Sequence, residues 1–235
     1  MTLALGEGGA AAQNVARMPD GKPDFSGIWQ VTNSANESIE FHRATKEVGA
    51  SRGVVEGDEI PYRPGAIKKR EQNFQNRLTE DPESKCFLPG VPRALYLPYP
   101  FQIVHTSQQV TMLFEYEHVV RDIFLNSAHP PGKIEWSMGD SRGHWEGDTL
   151  VIDVVDFNDQ TWFDRAGNYH SDALHVVERL TPIDATHINY EATIEDPKVF
   201  TRPWKMSMPL YRRIEPRLEL LERECYVWEA EERKP

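Results

Sequence analysis

Long apolar runs are missing from this chain, and none approaches the length of a membrane-spanning helix. Positive charge is also in short supply. Lys and Arg number 26 against 37 Asp and Glu, a formal net charge of −11. That balance disfavours phosphate backbones and anionic membrane surfaces, so neither nucleic acid nor membrane is expected as a partner. Cysteine is nearly absent, with only Cys86 and Cys225. No CxxC pair or Cys/His cluster suggests a structural zinc. HExxH and H-x-H pairs, a Gly-x-Ser-x-Gly elbow, Gly-rich phosphate loops and dinucleotide fingerprints do not occur. No metal and no cofactor are therefore expected.

The two cysteines leave two readings open. Free thiols are often buried and inert. Alternatively the pair forms one bridge closing a loop of over a hundred residues, worth ~4 kcal/mol in the chain-entropy model. An exported chain would favour the bridge. The first twenty-odd residues are of low complexity and lack the charged start and long apolar stretch of an intact signal peptide. Ala10-Ala11-Ala12-Gln13 has the small-residue character of a leader's end. Residues 1–24 are read as a mobile tail and 25–235 as one domain, a size that all-β domains reach undivided.

What is present begins with a short strand at Asp24–Val31. A helix follows over Pro64–Leu78, with Ile67, Phe74 and Leu78 near helical spacing and Pro64 suited to its first turn. Pro82–Pro100 is a proline-dense connector that excludes a helix or a central strand. Beyond it, short β-branched and aromatic runs alternate with turn signals. These strands are Gln102–Thr106, Val110–Glu117, Val119–Leu125, Gly143–Trp145, Thr149–Asp156, Ala173–Thr181, His187–Ile194, Trp204–Tyr211 and Leu218–Trp228. Connections suited to crossover helices are lacking, which argues against parallel pairing. The expected fold is all-β: an antiparallel up-and-down barrel or strongly curved sheet, with one short helix and the proline-rich connector. Gly27-x-Trp29 resembles the first-strand signature of lipocalin-like barrels.

The densest polar stretch lies between two of these strands. Asn158, Asp159, Trp162, Asp164, His170, Ser171 and Asp172 sit there, with His175 just beyond. Loops on a rigid scaffold are where chemistry concentrates. A neutral imidazole takes a proton near physiological pH, and a carboxylate fixes its tautomer. His175 is therefore the candidate base. His170 is a second catalytic candidate, Asp164 or Asp159 an orienting carboxylate, and Asn158 and Trp162 donors to a substrate oxygen. The plainer alternative is a structural loop, in which Asx side chains serve their own turns and His170 bonds the backbone. Alternation places His175 and Arg179 on one face, toward a cavity or water, and Leu174, Val176, Glu178 and Leu180 on the core face. Asp153, in a strand with two apolar faces, needs a partner such as Arg179 or Arg121. Tyr116 and His118 share a face, and Trp204 and Met206 belong to an apolar wall; with Arg179 they complete the candidate substrate-binding set.

The stretch WEGDTLVIDVVDFNDQTWFDRAGNYHSDALHVVER resembles a group of uncharacterised, mostly exported bacterial proteins. PDFSGIW, CFLPGVPR, PYPFQIVHT, EDPK, TRPW and ELLERECYVWE match as well, covering nearly the whole domain. The resemblance implies export to the periplasm or medium and supports pairing of Cys86 with Cys225. It carries no catalytic assignment, and this chain departs from the group in lacking an obvious signal peptide. The function expected from these residues is acid–base chemistry without a cofactor, of lyase, isomerase, cyclase or hydrolase type. The substrate would be a small apolar or aromatic molecule in a barrel pocket. The competing expectation is a periplasmic carrier of a hydrophobic ligand.

Overall fold

A computed structural model describes residues 15–46, 49–57, 59–132 and 134–226. Nine strands form a closed barrel in chain order. They are β1 (Gly27–Gln30), β2 (Phe101–His105), β3 (Gln109–Phe114), β4 (Val120–Leu125), β5 (Asp140–Glu146), β6 (Thr149–Val155), β7 (His175–Pro182), β8 (His187–Glu195) and β9 (Trp204–Arg212). β1 closes the ring against β9, with Trp29 opposite Arg212. The expected all-β barrel is thus what the chain forms.

One pair departs from the up-and-down expectation. β4 and β5 run parallel, with Ile123 opposite Ser141 and Leu125 opposite Gly143. Fourteen residues (126–139) separate the two strands, and the described ones form no helix, so the parallel pairing is made by a return segment without a crossover helix. The return segment is pinned to the outer wall at Trp136, whose N–H donates to the Asp156 carbonyl at 2.8 Å. At the other hairpins the alternation holds. Leu150, Ile152 and Val154 of β6 and Val176, Glu178 and Leu180 of β7 point inward and are buried.

Among the described residues the inward faces are mostly apolar, with His105 of β2 stacked on Trp145 at one place and a charged network at another. Arg121 of β4 bonds Glu178 of β7 through both terminal nitrogens and Ser141 Oγ at 3.1 Å, and Tyr190 Oη donates to Glu178 at 2.8 Å. Buried charges persist only when paired and hydrogen-bonded, and these are. Arg121 therefore serves Glu178, not Asp153.

Three other expectations shift. The helix appears as α1 (Pro64–Gln75), followed by the single turn α2 (Arg77–Glu80). Ile67, Phe74 and Leu78 are exposed, and Ala66 is the buried residue of α1. Polar contacts hold this helix, because near-helical spacing of three apolar residues does not supply a continuous apolar stripe. β3 ends at Phe114, and Glu117 and His118 adopt positive φ of 55° and 51°. Tyr116 and His118 therefore belong to a tight reversal instead of sharing a strand face. From Leu218 to Tyr226 the chain forms no strand; an isolated bridge joins Arg223 to Tyr116, and the Leu221 and Cys225 N–H groups donate to Glu115 and Glu117, while Val227 and Trp228 lie outside the described residues.

Cys225 in that segment is bonded to Cys86, with Cα atoms 5.4 Å apart. Disulfides persist in oxidising compartments. No helix among the described residues is long and apolar enough to cross a membrane. Residues 15–24 lie against the barrel end, where Arg17 forms a two-pronged pair with Asp148 at 2.7 and 2.8 Å. Residues 1–14 lie outside the described part of the chain.

Candidate functional site

The outer wall of β5, β6 and β7 carries a line of ionisable groups created by alternation. Facing outward are Asp140 and Arg142 of β5, Asp153 of β6 and His175 of β7. The return segment between β4 and β5 lays His129 over them. His175 Nε2 lies 2.5 Å from Asp153 Oδ1. His129 Nε2 lies 2.9 Å from Asp153 Oδ2, and its Nδ1 lies 2.5 Å from Asp140 Oδ2. One carboxylate thus takes an imidazole on each oxygen. The His175 and Asp153 side chains are 38% and 40% exposed, so the pair meets solvent.

The charges of this line are organised from both ends. Arg142 grips Asp140 with two bonds of 2.7 Å. Partial burial pushes the Asp140 carboxyl up, but Arg142 and His129 together hold it below the ordinary carboxylate value. Asp153 behaves alike: burial raises it, and the bonds from His175 and His129 bring it below that value. His129 faces a carboxylate oxygen at each nitrogen, so filling both bonds requires a proton on each. His175 differs. Its Nδ1 has only Glu195 Oε2, 3.9 Å away. With Nε2–H given to Asp153, the Nδ1 lone pair points at solvent. Beside the cluster lies a groove of about 370 Å³ lined by Asn126, Ser127, Arg142, His144, Val151 and Val177 together with His129 and Asp153.

The loop that looked richest in chemistry is built differently. His170 is 1% exposed, between the rings of Phe157 and Phe163 at 5.8 and 5.4 Å. Its Nε2 is 2.7 Å from Thr161 Oγ1, and its Nδ1 is 2.9 Å from the Ser171 carbonyl. Burial keeps this imidazole below its ordinary pKa. Asp164 is 0% exposed and accepts from the Ile39 N–H (2.8 Å), the Asn168 N–H (3.1 Å) and Asn168 Nδ2 (2.7 Å). Burial lifts its carboxyl to about 6 in spite of those three donors. It lies away from His175, whose carboxylate is Asp153.

The remaining candidates scatter. Asn158 donates to Ser137 Oγ and accepts from the Gln160 N–H at 3.1 Å, an Asx turn. Asp159 is exposed, and Trp162 is buried. Tyr116 Oη donates to the Glu83 carbonyl at 3.2 Å. His118 sits in the β3–β4 reversal and is exposed. Arg179 pairs with Glu146 on the wall at 2.8 Å. Trp204 and Met206 are inside the barrel and fully covered. The structure therefore brings none of these side chains into contact with His175.

His129 and Asp140 were missed. The sequence signal for His129 was its rigid His-Pro-Pro-Gly setting, but the parallel return that delivers it is invisible in a periodicity. As for metal, the donor atoms of His129, Asp153 and His175 do not all lie within 4.8 Å of one another. Cys86, Glu117 and Cys225 do converge, yet the two sulfurs are bonded together and are not thiolates. No protein-family model, no curated protein and no solved structure matches this chain.

Proposed function

We propose that this protein is an exported enzyme that moves protons on a small, largely apolar or aromatic organic molecule, using the outer-wall cluster instead of the barrel interior. The observation that carries this reading is Asp153, whose two oxygens each take the Nε2 of a histidine from a different part of the chain. A carboxylate on one imidazole nitrogen fixes the tautomer and makes the other nitrogen a better base. Asp153 holds His175 by Nε2, leaving Nδ1 as the proton acceptor. His129, sharing protons with both Asp140 and Asp153, is the acid that returns one. Val151 and Val177 supply the apolar floor of the adjoining groove, and Arg142 and Ser127 its polar rim. Lyase, isomerase, cyclase and hydrolase reactions all use this pair of proton transfers. The Cys86–Cys225 bond supports the periplasm or extracellular medium as the place of work.

The tautomer can be read without a substrate. Long-range proton–nitrogen NMR correlations of the histidine rings should show His175 carrying its neutral-form proton on Nε2. A proton on Nδ1 instead would remove the proposed base. With any substrate found among small aromatic esters, lactones and hydroxy acids, His175→Ala should cut turnover by about 10²-fold or more while the circular dichroism spectrum is unchanged. Wild-type turnover in both His175→Ala and His129→Ala would sink the reading.

A further inference from the structure

The polar loop borders a second groove, between it and the C-terminal half of α1. It measures about 710 Å³ and is lined by Gln72, Asn73 and Asn76 of the helix and its end, and by Asp159, Gln160 and Trp162 of the loop, with the exposed Phe87 at its edge. We propose that this groove binds a neutral saccharide. The inference is independent of the acid–base reading, since no residue is shared between the two sites.

The chemistry of the lining points to that ligand class. A carboxamide presents two donors and an acceptor in one plane, matching neighbouring hydroxyls that each give and take a hydrogen bond. The side chains of Gln72, Asn76 and Gln160 make no hydrogen bond to the protein among the described residues, so their capacity is free for a ligand. Asp159 adds a pure acceptor. Phe87 offers an aromatic face of the kind on which the C–H face of a sugar ring packs.

Charge argues against the obvious rival, a phosphorylated ligand. Lys85 is paired with Glu80 at 2.7 Å, and Lys69 stands over the Tyr169 ring at 4.4 Å. With Asp159 on the opposite wall, two cations face two carboxylates, and no excess of positive charge awaits an anion.

The groove is also preformed, which limits the ordering cost of binding. Its two walls are locked together at Gly167, where φ is +84° and an added Cβ would come within 2.7 Å of the Arg70 carbonyl oxygen and the Phe74 nitrogen. Only glycine allows the loop and α1 to approach backbone to backbone in this way. Asn73 Nδ2 donates to the Gly167 carbonyl at 3.2 Å, and Tyr169 Oη donates to the Ala66 carbonyl at 3.3 Å.

Isothermal titration of the purified full chain with maltotriose, cellobiose, lactose and chitobiose, and with inorganic phosphate and glucose 6-phosphate as charged controls, tests this. At least one neutral sugar should bind saturably, and Gln72→Ala combined with Gln160→Ala should weaken it about tenfold or more. Both substituted side chains lack protein partners, so the double variant should keep the wild-type circular dichroism spectrum. Absence of saturable binding by every neutral sugar would overturn the proposal. So would binding unchanged in the double variant, or a preference for the phosphorylated controls.

Discussion

The outer wall and the loop 157–172 hold the same kinds of residue and do opposite things with them. In the loop, His170 and Asp164 are sealed from solvent and every strong hydrogen-bonding position is filled from within. On the wall, His175 and Asp153 meet solvent, and one ring nitrogen has no close partner. A buried group that is fully satisfied has spent its bonding capacity on the fold. An exposed group held on one side and open on the other still has capacity for a substrate. The density of catalytic-type residues in a stretch of sequence therefore marks where polar groups are needed, not which of them react.

The comparison can be broken most forcefully by truncation within the loop. His170→Ala should destabilise the protein by about 3 kcal/mol, from the cavity between two phenylalanines and the loss of partners for Thr161 and the Ser171 carbonyl. Urea unfolding read by tryptophan fluorescence checks this. A change below about 0.5 kcal/mol, the ordinary surface range, would mean that the loop is not built around His170.

A somewhat smaller effect is expected from pH. The Asp164 carboxyl rises from 3.8 to about 6 on folding, so its neutral form is the one the fold prefers. Its contribution to stability is full below 3.8 and is lost as pH climbs through about 6. A shift of this size corresponds to about 3 kcal/mol at most. The urea midpoint should therefore gain from this group as pH falls from 7 toward 4.5, and Asp164→Asn should flatten that limb. The wall behaves with the opposite sign. Asp140 and Asp153 are held below the ordinary carboxylate value, so their stabilisation is present above the unfolded-state value and lost only as acid protonates them. An unaltered pH profile in Asp164→Asn would remove the contrast.

The smallest expected effect on stability is at His175 itself. His175→Ala should change the unfolding free energy by less than about 0.5 kcal/mol, as is usual for half-exposed side chains with one surface pairing. Loss of several kcal/mol there would make the wall cluster structural too. An apolar molecule extracted in stoichiometric amount from the purified protein would instead return attention to the barrel interior.

Much of the barrel was legible because strand alternation is a local property. Leu150, Ile152 and Val154 share a face in any β-strand, and the core face of β7 follows from the same period. Glu178 sat correctly on that core face, but its partner Arg121 is 57 residues away and no period announces it. Asp153 was identifiable as a carboxylate in need of a partner, yet arginine was the natural expectation and histidines filled the role. Asp164 could be named but not placed, since burial rather than neighbours in sequence decides whether a carboxylate orients a base or holds a loop.

Local chemistry, then, was determined by the chain itself: the strands, the turn signals between them, the helix after Pro64, and the acidic balance of charge. Tertiary structure alone decided that β4 and β5 run parallel, that the return segment between them carries His129 onto Asp153, and that the loop buries His170 while exposing Asp159. The physical reason is reach. Periodicity and turn propensity act over a few residues, whereas the site depends on hydrogen bonds among groups brought together only when the barrel closes.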